Sequence, residues 1–257
     1  MTSLPASTRT FVLVHGAWHG GWCWSRVAAR LRAAGHAVFT PTLTGLGERS
    51  HLLNGDISLQ TFVDDIVNVL VWEDLNDVVL VGHSFAGLVI TGVADAVPER
   101  LRQLVYLDAF ILESGVSTFS TLPVEIVAKL HAAAQNTSGA APALPPPKPR
   151  TLGLFEPDDI AFVEGRLTPH PLRSYETALQ LRHPVGNGLP CAYLSCANPL
   201  FAAVDESRNW ARNRPGWRWE DLDAGHGAMV SAPGLLTEAL LRAARTGQAD
   251  AASLKIE

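Results

Sequence analysis

Short, uninterrupted apolar runs alternate along this chain with longer stretches whose apolar positions recur every three or four residues. The run TFVLVH at 10–15 reads as a buried strand and leads into the glycine-rich stretch 16–21. Residues 24–34 carry Val27 and Leu31 at helical spacing and stop at Gly35, and 37–39 reads as a strand ending before Pro41. A polar, glycine-containing loop covers 42–57. Residues 59–70 predict an amphipathic helix with Phe62, Ile66, Val69 and Leu70 on one face. A strand at 78–81, a helix at 85–97 closed by Pro98, and a strand at 104–107 follow. Further on come a strand at 191–196, a helix at 203–213, a strand at 217–222 and a last helix at 234–245.

Strands buried on both faces read as continuous apolar runs, and their alternation with helices implies βαβ units around a mainly parallel sheet. The expected class is α/β. Residues 111–185 break the alternation, with helical segments at 123–134 and 157–164 around a stretch, 136–150, rich in Ala, Pro, Gly and Ser. We read 111–185 as an inserted helical cap and 1–110 with 186–257 as the core. No internal repeat is visible.

The chain has 257 residues, of which 47% are apolar and 18% charged, as expected for a globular domain with an insertion. A net charge of −5 argues against nucleic acid as the main partner. No apolar stretch approaches the length that spans a bilayer, and the polar residues 1–10 lack a leader pattern, so the expected location is the cytoplasm. Cys23, Cys191 and Cys196 are an odd set without ligand spacing, so they read as buried free thiols and no metal is expected. A monomer or homodimer is expected.

The candidate chemistry starts at DVVLVGHSFAG, residues 77–87. A strand, a Ser between small neighbours and a helix make a tight turn that lifts the Ser84 hydroxyl clear of the sheet. Ser84 is the candidate nucleophile; a helix N-cap is the alternative. Position 86 is Ala where this motif usually has Gly. A Ser hydroxyl needs a base, and His226, in the loop after the final strand, is the candidate. His83 reads as packing beside the turn. An oxyanion needs two donors, for which the candidates are the Phe85 N–H and the Ala17 N–H, with Gly16 allowing close approach. Ligands bind at the carboxyl ends of parallel strands, so 16–21, Ser84 and Asp108 should share one sheet edge. Trp18, Phe110, His170 and Met229 are candidates for lining the substrate pocket, with core or cap packing as the alternative for each.

The segments HGAWHGGWCW (15–24), TLTGLGERSHL (42–52), LVGHSFAGLVITG (80–92), VYLDAF (105–110), RLTPHPL (166–172) and GHGAMVSAP (225–233) resemble the α/β-hydrolase superfamily. More narrowly, they are similar to bacterial relatives of the plant methylesterase and hydroxynitrile lyase family. The resemblance implies a helical cap, a Ser-His-acid triad, no cofactor and small, often aromatic esters as substrates. The plant enzymes carry an Asp after the penultimate strand. Here that strand runs into Cys196, Ala197, Asn198 and Pro199, with no carboxylate. Some members place the acid after the strand that follows the nucleophile helix, which makes Asp108 the candidate; Asp205, Asn198 or a working Ser-His dyad are the alternatives.

The resulting expectation is a serine carboxylic ester hydrolase. A hydroxynitrile lyase or a non-catalytic small-molecule binding protein on the same fold is the alternative. The plant lyases have Thr after the first-strand His and Lys after the catalytic His, where this chain has Gly16 and Gly227. Both differences favour ester hydrolysis.

Overall fold

The computed structural model describes residues 8–135 and 141–246. Residues 1–7, and the part of the 136–150 connector up to 140, lie outside the described residues. The main sheet contains β1 (Thr10–Val14), β2 (Ala37–Phe39), β3 (Val78–His83) and β4 (Leu101–Leu107). A small pair follows, β5 (Ala143–Leu144) with β6 (His170–Pro171), and then β7 (Cys191–Cys196) and β8 (Arg218–Leu222) complete the main sheet. The order across it is β2-β1-β3-β4-β7-β8, and every pairing is parallel. The chain leaves β1 toward β2 on one side and returns as β3 on the other. The crevice at the carboxyl ends of β1 and β3 is therefore the switch point at which such sheets bind ligands.

Alternation along the strands divides the core in two. Val12, Leu80, Leu104 and Tyr193 belong to one apolar cluster. Phe11, Val79, Val105 and Ala192 belong to the other. The first face carries α2 (Leu59–Trp72) and α3 (Ala86–Ala96). The second carries α1 (Ser25–Ala33) and α9 (Pro233–Thr246). Helix α2 starts where the sequence supplies a capping box. The Ser58 hydroxyl accepts from the Thr61 N–H, and the Thr61 hydroxyl accepts from the Ser58 N–H. Its Phe62 and Ile66 are fully buried, and each such side chain contributes about 1.5–3 kcal/mol. Helix α3 lies between α2 and the sheet and meets α2 closely at Gly92, where a Cβ would stand 2.5 Å from Val63.

Between β4 and β7 lie α4 (Val124–Gln135), α5 (Pro157–Glu164) and α6 (Arg173–Glu176) together with the β5-β6 pair. The two helices expected in 111–185 are α4 and α5. The segment is fastened where it returns to the core, since the Asp95 carboxylate on α3 accepts the Arg182 and His183 N–H groups at 3.1 and 2.9 Å. After β7, α7 (Asp205–Arg212) packs on the sheet, and a short α8 (Ala228–Ser231) precedes α9. No helix among the described residues is long and apolar enough to cross a membrane.

Candidate active site

Ser84 leaves β3 with φ of 54°, in the left-handed region that a non-glycine residue enters at a cost of about 1–3 kcal/mol. The surrounding backbone holds it there. The Ser84 N–H donates to Leu107 O at 3.1 Å, and the Ser84 carbonyl accepts from Gly87 and Phe110, both at 3.0 Å. Small residues are required on both sides of the turn. A Cβ at Gly82 would stand 2.6 Å from Ala86 O, and one at Gly87 would stand 2.2 Å from Phe110 O. Position 86 tolerates Ala because its methyl group is accommodated in the core.

His226 Nε2 lies 3.0 Å from Ser84 Oγ, and His226 Nδ1 lies 2.7 Å from Asp108 Oδ2. The carboxylate accepts at Oδ2, so Nδ1 carries the proton and Nε2 is free to accept from the serine. Asp108 ends β4 with φ of 41°, and its N–H is held by Leu194 O at 2.8 Å. Its carboxylate is fully buried. Burying a charge is costly unless it is paired and hydrogen-bonded, and here its Oδ1 accepts from Arg208 Nη2 at 2.9 Å and the Cys196 N–H at 3.3 Å. Arg208 also pairs with Asp205. The alternatives for the acid lie elsewhere. Asn198 donates to Asp223 at 2.9 Å on the exposed side of the loop, and Asp205 meets Arg208 rather than His226.

Two contacts hold His226 from outside the Ser-His-Asp chain. The Phe201 ring stacks on it at 4.0 Å, and His83 Nε2 donates to the His226 carbonyl at 2.9 Å. The loop itself is seated by Gly227 N–H on Leu152 O at 2.8 Å.

The loop after β1 brings Gly16, the residue before Ala17, against Ser84. A Cβ on Gly16 would stand 2.8 Å from Ser84 Cβ. Among the described residues, neither the Ala17 nor the Phe85 N–H donates to a backbone carbonyl. His15 bridges Gly16 O and the Leu43 N–H, and His19 Nδ1 donates to Ala17 O at 2.7 Å. Burial lowers His15 to about 3 and His19 to about 4, so both rings are neutral struts.

Trp18, at φ 65°, ties this loop to the 142–171 segment. Its N–H reaches His170 Nδ1 at 3.5 Å, its carbonyl accepts from Thr168 N–H at 2.9 Å, and its indole donates to Leu144 O at 3.1 Å. His170 is buried, with Nε2 on Ser174 Oγ at 2.8 Å, and its ring meets Phe85 at 4.9 Å. Tyr175 stacks on Phe85 at 4.9 Å, so an aromatic cluster lies beside the serine. Phe110 lines a groove of about 390 Å³ with Leu112, Leu122, Ala203, Glu206 and Trp210. Met229 and His170 both take the packing alternative: Met229 is fully buried in the cluster on the second face, where α8 turns it, and His170 is fully buried between Trp18 and Ser174. Arg208, Phe201 and Tyr175 were not expected. No sequence signal marked Arg208: its burial beside Ser207 and Ala211 is visible only in the structure. Among the described residues no group of three or more His, Cys, Asp or Glu is placed to hold a metal ion.

A parallel sheet, a strained serine turn and a hydrogen-bonded Ser84, His226 and Asp108 at its carboxyl edge define an α/β enzyme architecture. The chain belongs to the alpha/beta hydrolase family, whose model matches residues 11–239. It is 41% identical over 243 residues to the carbendazim hydrolyzing esterase of Nocardioides sp. (strain SG-4G), covering 90% of this chain and 97% of that one. It is 26% identical over 255 residues to methylesterase 7 of Arabidopsis thaliana, covering 92% and 96%. An extracellular α/β-hydrolase from a Paenibacillus species has the same fold, with a TM-score of 0.78 at 24% identity over 92% of this chain and 99% of that one.

Proposed function

We propose that this ester hydrolase is a serine carboxylesterase that cleaves small apolar or aromatic esters, or lactones, through an acyl-enzyme. The observation that carries the reading is the continuous chain from Ser84 Oγ through His226 to Asp108, at 3.0 and 2.7 Å. Ser84 attacks the ester carbonyl while His226 Nε2 takes its proton. Asp108 holds the accepting tautomer and stabilises the imidazolium as it forms. The Ala17 and Phe85 N–H groups receive the oxyanion. His226 then protonates the leaving alcohol, and water cleaves the acyl-enzyme with His226 again as base.

Trp18 and Phe110, partly buried beside Ala17 and the Asp108 turn, support an apolar or aromatic substrate group, with residues 111–185 acting as a cap over it. Gly16 and Gly227 support hydrolysis over cyanohydrin cleavage. A Cβ at 16 would stand 2.8 Å from Ser84 Cβ, and one at 227 would stand 2.7 Å from Leu154 Cδ2, so neither position has room for the Thr or Lys of the lyases. Three buried, unpaired cysteines support a cytoplasmic location. The relatives' names make methyl esters and carbendazim the first substrates to test.

The test is hydrolysis of these esters by the wild type and by Ser84→Ala, with mass spectrometry after treatment with an aryl phosphonate. The reading expects activity that is lost in Ser84→Ala and a phosphonyl adduct on Ser84. Hydrolysis that survives Ser84→Ala, or an adduct on another residue, contradicts it.

A further inference from the structure

The carboxylate beside His226 does not stand alone. Arg208 reaches it from α7, with a side chain only 9% exposed. Its Nη2 is 2.9 Å from Asp108 Oδ1 and 3.5 Å from the Phe201 carbonyl. The Phe201 ring in turn lies on His226 at 4.0 Å. One guanidinium thus holds both groups that orient the base. The same helix turn is anchored to the acid loop through Ser207 Oγ, which accepts the Ile111 N–H at 2.8 Å and donates to the Ile111 carbonyl at 3.2 Å.

We propose that Arg208 is a positioning residue that fixes Asp108 and Phe201 around His226 and sets the acid limit of the pH range in which the base works. This rests on the triad reading of Ser84, His226 and Asp108. The guanidinium occupies Oδ1, which leaves Oδ2 to His226 in a single geometry; Arg suits this role because its planar fork is always charged. Its fixed positive charge also lies across one carboxylate from the imidazolium that forms in catalysis, and like charges a few ångströms apart repel.

The other groups facing the pair carry no competing charge. His83 from β3 and His19 from the β1 loop are held neutral, lowered chiefly by burial. Cys196 and Tyr193 from β7 stay protonated, raised chiefly by burial and further by Asp108. Asp205, half exposed on α7, faces Arg208 from its other side and partly offsets its charge. Burial opposes the Arg208 charge, but the Asp108 hydrogen bond and carboxylate outweigh it and raise the guanidinium above its ordinary value.

The experiment is the pH profile of kcat/KM for wild type, Arg208→Met, Arg208→Lys and Asp205→Asn on one ester, from about pH 5 to about pH 9. Arg208→Met should move the acid limb up by about one pH unit, the scale of a charge a few ångströms away in a partly buried site. It should lower kcat more than it changes KM, since Arg208 does not touch substrate. Arg208→Lys, which keeps the charge, should return most of the limb's position. Asp205→Asn should move the limb down by a few tenths of a unit. A folded Arg208→Met whose limb stays in place overturns the proposal, as does an Arg208→Lys limb displaced as far as that of Arg208→Met. Should Arg208→Met fail to fold, Asp205→Asn decides: a downward shift supports the proposal and an unmoved limb overturns it. Ser84→Ala and Asp108→Asn are assayed alongside. Activity retained in either removes the triad reading itself, whereas inactive controls with an unmoved limb remove only the role of Arg208.

Discussion

The His83 ring donates through Nε2 to the His226 carbonyl at 2.9 Å, and the two rings lie 4.5 Å apart. The residue before the nucleophile therefore fastens the loop that carries the base. A carbonyl only accepts, so His83 is held as its Nε2–H tautomer. His83→Leu leaves a buried carbonyl without its donor, at a cost of about 1–3 kcal/mol. Urea unfolding should report that loss, and kcat should fall about tenfold with KM nearly unchanged, a barrier change of about 1.4 kcal/mol. His83→Gln, which keeps a donor, should recover most of both. Equal kcat in wild type and His83→Leu would show that the loop does not depend on this bond.

Asp108 and Asn198 separate cleanly by their surroundings. Asp108 is buried against His226 Nδ1, while Asn198 is bound to Asp223 near the surface. Asp108→Asn should cost about four orders of magnitude in kcat, the scale of losing the carboxylate of such a triad. Asn198→Ala should stay within about twofold, as a surface substitution changes stability or barrier by at most about 0.5 kcal/mol. Steady-state kinetics on both variants is the check, and a nearly active Asp108→Asn sinks the assignment.

Gly16 tests how closely the β1 loop must approach the nucleophile. The methyl of Gly16→Ala would meet Ser84 Cβ at 2.8 Å and His83 O at 3.1 Å. Neither neighbour has room to yield, because Ser84 is held at both its N–H and its carbonyl. Gly16→Ala should fold with a lower melting temperature and lose at least about a hundredfold in kcat, the scale of a displaced oxyanion donor. Circular dichroism melts and single-substrate kinetics measure the two effects separately.

The buried histidines predict acid sensitivity. Burial lowers His15 and His170 to about 3, His19 to about 4, and His83 well below its ordinary value. In the unfolded chain each takes a proton near about pH 6.5. Below that pH the unfolded state binds more protons than the folded state, so stability falls as pH falls. The loss begins near about pH 6.5 and levels off only below the folded values. Each neutral buried ring contributes a slope of about 1.4 kcal/mol per pH unit, so the four together reach about 5.5 kcal/mol per unit. Urea midpoints at about pH 7.5, 6 and 5 should drop steeply in that order; a flat series contradicts the prediction.

The strands were readable because parallel strands buried on both faces leave continuous apolar runs, as in β1, β3, β7 and the 104–107 half of β4; Arg102 and Gln103 hid that strand's start at Leu101. Asp108 stood out as a carboxylate at a strand end, with none after β7. Arg208 did not, since a charged residue on an amphipathic helix ordinarily marks the solvent face. Met229 misled because closeness to His226 in sequence is not closeness in space: three residues further on, α8 has turned the side chain into the second-face core. The Trp18–His170 contact joins residues 152 positions apart, through a segment without periodicity to announce it.

The bonds of Trp18 also set a limit on engineering. Its N–H, carbonyl and indole all engage residues 144–170, and it stands directly beside Ala17 in the chain. A library that randomises that stretch to widen substrate range would also shift the peptide next to the Ala17 amide. Altered selectivity and diminished turnover would then emerge together from the same clones.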